Sequence, residues 1–146
     1  MSKSGWVLMV DHNEDDFNLV RRAMMKNQSD LRLERVANGD GVFPKIANEP
    51  QVPVVLLLEA KLPGRAGQEV LRELRSESTL RHLPVVMFTG SPDPKDLSEA
   101  YKLGCNAYIQ KPFNYSEFVD VIGSVIAFWT KVEPFSTPFD HFTSPN

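Results

Sequence analysis

Three short apolar runs, at residues 6–10, 54–58 and 85–89, limit what this chain can fold into, because none alternates with polar residues. A strand with one wet face must alternate, so these runs read as strands buried on both faces, as in the interior of a parallel sheet. Weaker strands fit residues 31–36, where Leu31 and Leu33 alternate with charges, and residues 107–109, just before Lys111-Pro112. Helical periodicity fills the intervals at 15–27, 42–48, 68–77, 94–103 and 115–132. Strand then helix, five times over, predicts an α/β fold with parallel strands and helices on both faces.

Punctuation agrees with these boundaries. Asn38-Gly39-Asp40-Gly41 and Pro63-Gly64 are turn signals, and Pro92 and Pro94 sit where the fourth helix should begin. Pro44 conflicts with a second helix starting at Gly41, so that helix is expected to start late, to be short or to be distorted. Residues 133–146 hold three Pro, three Phe and no aliphatic residue. The chain therefore divides into one domain over 1–132 and a Pro/Phe-rich C-terminal tail over 133–146.

Composition narrows function more than fold. Sixteen basic and nineteen acidic residues give a net charge of -3, which leaves no cationic excess for general nucleic-acid binding. Cys105 is the only cysteine, so no disulfide can form within the chain. The apolar run at 6–10 is too short for a signal peptide or a membrane span. The expected location is the cytoplasm, away from membrane and nucleic acid.

In an open parallel sheet the ligand crevice lies outside the carboxyl ends of the strands. Those ends carry Asp11-His12-Asn13, then Glu59, then Thr89-Gly90-Ser91, then Lys111-Pro112. Acid, acid, hydroxyl and lysine, one per strand end, form a more specific pattern than any single motif here.

With Val10-Asp11, Leu58-Glu59 followed by Leu62-Pro63-Gly64, the run from Val86 to Thr89, and Tyr108 through Phe113, the chain resembles the receiver domain of two-component response regulators. Asn13-Glu14-Asp15-Asp16 and the Phe128-Trp129 ending are similar to stand-alone regulators linked to bacterial phytochromes. The resemblance implies a flavodoxin-like (βα)5 fold with strand order 2-1-3-4-5, a magnesium ion, and phosphate taken from a histidine kinase onto an Asp after the third strand. It implies for Asp11 a metal-site acid, for Thr89 the hydroxyl that reads the phosphoryl group, for Tyr108 the switching aromatic, and for Lys111 the phosphate-contacting lysine. It also implies a cis Lys111-Pro112 bond.

Two positions depart from the family. His12 stands where a second metal-ligating acid belongs, and Glu59 stands at the phosphoacceptor. Ala66, where the family often has Asp, is a smaller departure. Magnesium prefers hard oxygen ligands, so binding at Asp11 and His12 is expected to be weak or absent, with no other cofactor. The extra methylene of Glu59 moves its oxygens by about 1 Å, a misplacement that can cost on the order of a hundredfold in rate. Glu59 either mimics the switched state beside Thr89 and Lys111, or pairs with Lys111 or a protonated His12 and locks the crevice.

The resulting expectation is a degenerate stand-alone receiver, not an enzyme, acting as a phosphorylation-independent interaction module. The alternative is a working phosphoacceptor using Glu59 or a nearby carboxylate with an altered metal. No DNA-binding segment follows, so output should run through protein contacts, with a histidine kinase or phytochrome-like sensor among the partners. Two other classes fit poorly. A flavin protein would need a phosphate cradle where Asp11, Glu14, Asp15 and Asp16 stand, and an aspartyl hydrolase would need an acid where Asn13 stands. Asp11, His12 and Glu59 are a weak pattern for zinc.

Along the last helix, Tyr115, Phe118, Val119, Ile122, Val125, Ile126 and Trp129 form the predicted sheet-facing stripe. Val121, Phe128 and Val132 widen the apolar arc beyond one buried face. That excess predicts a homodimer through this helix and the fourth, unless the tail covers it. Ser91 is read as a cap of the fourth helix, and Tyr108 has the plain alternative of an edge-strand aromatic.

Overall fold

The computed structural model describes residues 5–132, so the predicted tail lies outside the described residues. Five strands, β1 (Trp6–Val10), β2 (Arg32–Val36), β3 (Val55–Leu58), β4 (Val85–Thr89) and β5 (Ala107–Gln110), form one sheet in the order β2-β1-β3-β4-β5. All four pairings are parallel, as the non-alternating runs require. The helices are α1 (Glu14–Lys26), α2 (Val42–Ala47), α3 (Gly67–Ser76), α4 (Pro94–Lys102) and α5 (Tyr115–Lys131). This is the flavodoxin-like arrangement.

Successive residues of the central strands feed opposite cores, because side chains alternate across a sheet. Leu8, Val10, Leu56 and Leu58 join Val42, Val70, Leu71 and Leu74 on the α2–α3 side. Val7, Met9, Val55, Leu57 and Phe88 join Val20, Met24, Phe118, Ile122 and Ile126 on the α1–α5 side. Each fully buried aliphatic or aromatic side chain contributes about 1.5–3 kcal/mol, which is why uninterrupted apolar runs suit these strands.

Pro44 has its predicted effect. A 3-10 turn at Gly39–Gly41 precedes an α2 of six residues, with Pro44 in its first turn, where an amide has no helical acceptor. Helix α3 begins at Ala66, which offers no capping side chain, and only Glu69 reaches back to accept from the Ala66 amide at 3.3 Å. At the opposite end of α3, Arg75 donates to the carbonyls of Gly104 (2.9 Å) and Leu83 (2.8 Å) and to the Asn106 side chain (3.0 Å). This guanidinium ties α3 to the segments leading into β4 and β5.

Helix α5 departs from its predicted stripe at two positions. Tyr115 lies at the first turn, beyond the packed stretch, and is 51% exposed. Val121, predicted to be free, packs against the α1–α5 core together with Val125 and Trp129. Phe128 remains 59% exposed, its ring edge-on to Trp129 at 4.9 Å.

Candidate functional site

Each predicted crevice residue is held by a backbone bond that continues the sheet. The amide of Asp11 donates to Val36 (3.0 Å), that of Glu59 to Val10 (3.0 Å), and that of Lys111 to Thr89 (2.7 Å). Four side chains from four strand ends are therefore launched from fixed backbone into one space. Asp11, Glu59 and Thr89 are buried, and the Lys111 side chain is 11% exposed.

The crevice centres on the Lys111 ammonium. It donates to Asp11 Oδ2 at 2.6 Å, Asp16 Oδ2 at 2.8 Å and Glu59 Oε1 at 2.9 Å. Asp11 Oδ1 accepts from the Asn13 amide at 2.9 Å. Glu59 Oε2 accepts from the Thr89 hydroxyl and from the Lys61 amide (3.1 Å). Of the arrangements open to Glu59, the structure joins it to Lys111 and Thr89 together, while His12 is exposed.

The Lys111-Pro112 bond is trans, since the described residues contain no cis peptide. This corrects the expectation drawn from the family, and the contact of Lys111 with Glu59 is made all the same, at 2.9 Å. With its amide in sheet register on Thr89, Lys111 reaches Glu59 by side-chain length alone.

A second correction concerns Ser91. The cap of α4 is Asp93, whose side chain accepts from the Lys95 amide at 2.9 Å. Ser91 instead hydrogen-bonds Asp96 in the first turn of α4, and its amide donates to Thr89 Oγ1 at 3.1 Å. Tyr108 packs against the α2–α3 side core, and its hydroxyl donates to the Ser91 carbonyl at 3.2 Å. Glu59, Thr89, Ser91, Asp96 and Tyr108 thus form one connected hydrogen-bonded set reaching α4 and β5.

Asp16 is the site residue that sequence reasoning missed. It lies in the first turn of α1, where Asn13 caps the helix by accepting from the Asp16 amide at 3.0 Å. Its spacing from Asp11 across a strand-to-helix turn was the available signal.

Charge in the crevice is unevenly balanced. Burial drives the Asp11 carboxyl above its ordinary value, and the bonds from Lys111 and the Asn13 amide only partly offset this. Burial also works to raise Glu59, but the bonds from Thr89, Lys111 and the Lys61 amide together hold it below the usual value. Burial would lower Lys111, yet its acidic partners raise it well above an ordinary lysine.

These directions carry opposite signs for stability. Glu59, with its depressed value, stabilises the fold above the ordinary glutamate pKa, and that contribution is lost as pH falls through the folded value. Asp11, with its raised value, opposes the fold once ionised, and protonation relieves that cost as pH falls. A carboxyl-carbon NMR titration is expected to place the Glu59 midpoint below 4.5 and the Asp11 midpoint above 3.8, their ordinary values.

Magnesium, which the family resemblance implies, does not fit these side chains. Both oxygens of Asp11 and of Glu59 are already engaged by donors of the protein. His12 offers an imidazole where a hard oxygen is wanted. Among the described residues no group of three or more His, Cys, Asp or Glu side chains is spaced to hold a metal ion, and no helix is long and apolar enough to cross a membrane.

Comparison with known proteins agrees with this geometry. The chain is 27% identical to the response regulator Rcp1 of Synechocystis over 129 residues, covering 84% of this chain and 87% of the relative. It is 31% identical to the polar-differentiation response regulator DivK of Brucella anthropi over 120 residues, covering 82% and 94%. The crystal structure of the phosphorylated cyanobacterial phytochrome response regulator RcpA superposes with a TM-score of 0.84 at 26% identity, covering 92% of this chain and all of that one. Residues 7–123 match the response regulator receiver domain, and with four strand ends bearing the acid, acid, hydroxyl and lysine of that site, the chain belongs to the receiver family of two-component signalling.

Proposed function

We propose that this chain is a receiver whose output state is set without phosphorylation, and that it serves as a protein interaction module in signal transduction. The observation that carries the reading is the division of Glu59: one oxygen accepts from Thr89 and the other from Lys111. A pair with Lys111 alone would only close the crevice. Engagement of Thr89 as well puts negative charge on both groups that the family uses to sense a phosphoryl group, which favours mimicry. Through Ser91 the same contacts reach Asp96 on α4 and Tyr108 on β5.

The test is incubation of the full chain with acetyl phosphate and magnesium, followed by intact mass measurement. No phosphoryl adduct is expected. An adduct would overturn the reading in favour of a working phosphoacceptor at Glu59 or a neighbouring carboxylate.

The proposed partners follow from the relatives and from α5. Similarity to phytochrome-linked regulators supports a sensor kinase of that kind as partner, and the net charge of -3 is what supports a reading without nucleic acid. A second copy is the other partner, centred on the exposed Phe128 with the half-buried Val132 near the end of the same helix, and the fourth helix, which carries the exposed Leu97 and Tyr101, is proposed to take part. Light scattering at micromolar concentration is expected to give a dimer mass that phosphodonor does not change. Phe128→Asp should give a folded monomer, weakening association by at least about 2 kcal/mol, roughly thirtyfold. A monomeric wild type would remove this interface.

A further inference from the structure

The sheet has two open edges, β2 and β5, and an open edge offers backbone amides and carbonyls to any strand that comes alongside. The two edges are guarded differently. β2 carries Arg32, Glu34 and Arg35, and ion pairs join Arg32 and Glu34 to each other and to Glu49 and Lys45, so an incoming strand would have to displace charge. β5 reads Ala107-Tyr108-Ile109-Gln110, with no charge, no proline and two residue types that favour strands. Nothing in those four residues repels a neighbouring strand.

What meets the β5 edge is Tyr101, in the last turn of α4. Its phenol oxygen accepts from the Tyr108 amide at 3.1 Å, whereas the amides of Asn106 and Lys111 donate into β4, to Val85 (2.8 Å) and Thr89 (2.7 Å). The hydroxyl therefore takes the place that a carbonyl of an added strand would take. Tyr108 has a second tether through its own hydroxyl, which donates to the Ser91 carbonyl just before α4 at 3.2 Å. Both tethers lead to the α4 side, so the edge opens only when α4 draws away from β5.

We propose that Tyr101 is a lock on the β5 edge, and that its release exposes a surface that a second copy of this chain covers by pairing β5 with β5. The same edge on both copies satisfies a twofold axis, with the two strands antiparallel. The charged edge of β2 is unsuited to such a pair. The interface differs from the one centred on Phe128, and it does not depend on how Glu59 sets the crevice.

The experiment uses the full chain carrying Phe128→Asp, so that association through α5 does not mask the edge. Amide exchange followed by NMR is expected to be at least about fivefold faster at Tyr108 in Tyr101→Phe than with Tyr101 intact, the effect of one lost hydrogen bond, with the Asn106 and Lys111 amides unchanged. Tyr101→Ala places a good helix former at an exposed position. That variant should stay folded and pass from a single-copy to a two-copy mass in light scattering at high micromolar concentration. Adding Gln110→Lys, a charge on the bare edge, should return it to the single-copy mass. A Tyr108 amide that exchanges at one rate with and without the Tyr101 hydroxyl, a Tyr101→Ala chain that stays single or fails to fold, or a pair that Gln110→Lys leaves intact would overturn the proposal.

Discussion

Gly67→Ala is expected to destabilise the fold by about 3 kcal/mol, read as a lower urea midpoint with an unchanged slope. The Gly67 amide donates to the Ala60 carbonyl at 2.8 Å. A methyl built on Gly67 would overlap the Glu59 carbonyl oxygen and lie 3.0 Å from Ala60 Cα. Both obstacles are backbone, so no side-chain rotation relieves them. The start of α3 must withdraw or the end of β3 must shift, and Glu59 stands on that end. Gly64→Ala is the control: Gly64 has φ of 82° with open space around its Cβ position, so only backbone strain of about 1–2 kcal/mol is expected. A Gly67→Ala protein as stable as wild type would mean that the approach of α3 to β3 is not fixed as described.

His12→Asp combined with Glu59→Asp is expected to give a phosphoacceptor, seen as a phosphoryl adduct after incubation with acetyl phosphate and magnesium. The shorter side chain at 59 withdraws its oxygens from Thr89 and Lys111, leaving that hydroxyl and one of the three ammonium donors open to a phosphoryl group, while Asp11 and Asp16 keep the other two. The acid at 12 adds the hard oxygen ligand that imidazole cannot supply. In the step itself a carboxylate oxygen attacks phosphorus and acetate leaves with its bonding pair. Either change alone corrects half the site, so the double variant should exceed both single variants by roughly a hundredfold. If the double variant stays unmodified, the loss has a cause beyond these two positions.

The parts of this structure legible in the sequence are those governed by burial on two faces. The strands β1, β3 and β4 announce themselves because every residue in them is buried, and the strand ends then locate Asp11, Glu59 and Thr89. Asp16 was not legible for the opposite reason. An acid in a first helical turn already has a sufficient explanation in the helix dipole, and its partner Lys111 is 95 residues away. Helical periodicity put Val121 and Phe128 side by side on one shoulder, but the packing of α1 along α5 covers Val121 and leaves Phe128 exposed. Periodicity reports direction around one helix axis and says nothing of where a neighbouring helix lies. The trans Lys111-Pro112 bond was missed because it was taken from the family, when the reach of a lysine side chain made a tight turn unnecessary.

The lysine cage also orders events in time. A ribosome releases Asp11, Asp16 and Glu59 long before Lys111, which lies 52 residues beyond the last of them. A nascent chain with β1, β3 and β4 assembled holds three acids close together with their counter-charge still unmade. That repulsion works against premature closure of the crevice until β5 adds itself to the open edge and carries its ammonium in. The fifth strand is therefore more than a border to the sheet: its arrival brings one ammonium to three gathered acids and offsets part of their charge, while α5 still follows it in the chain.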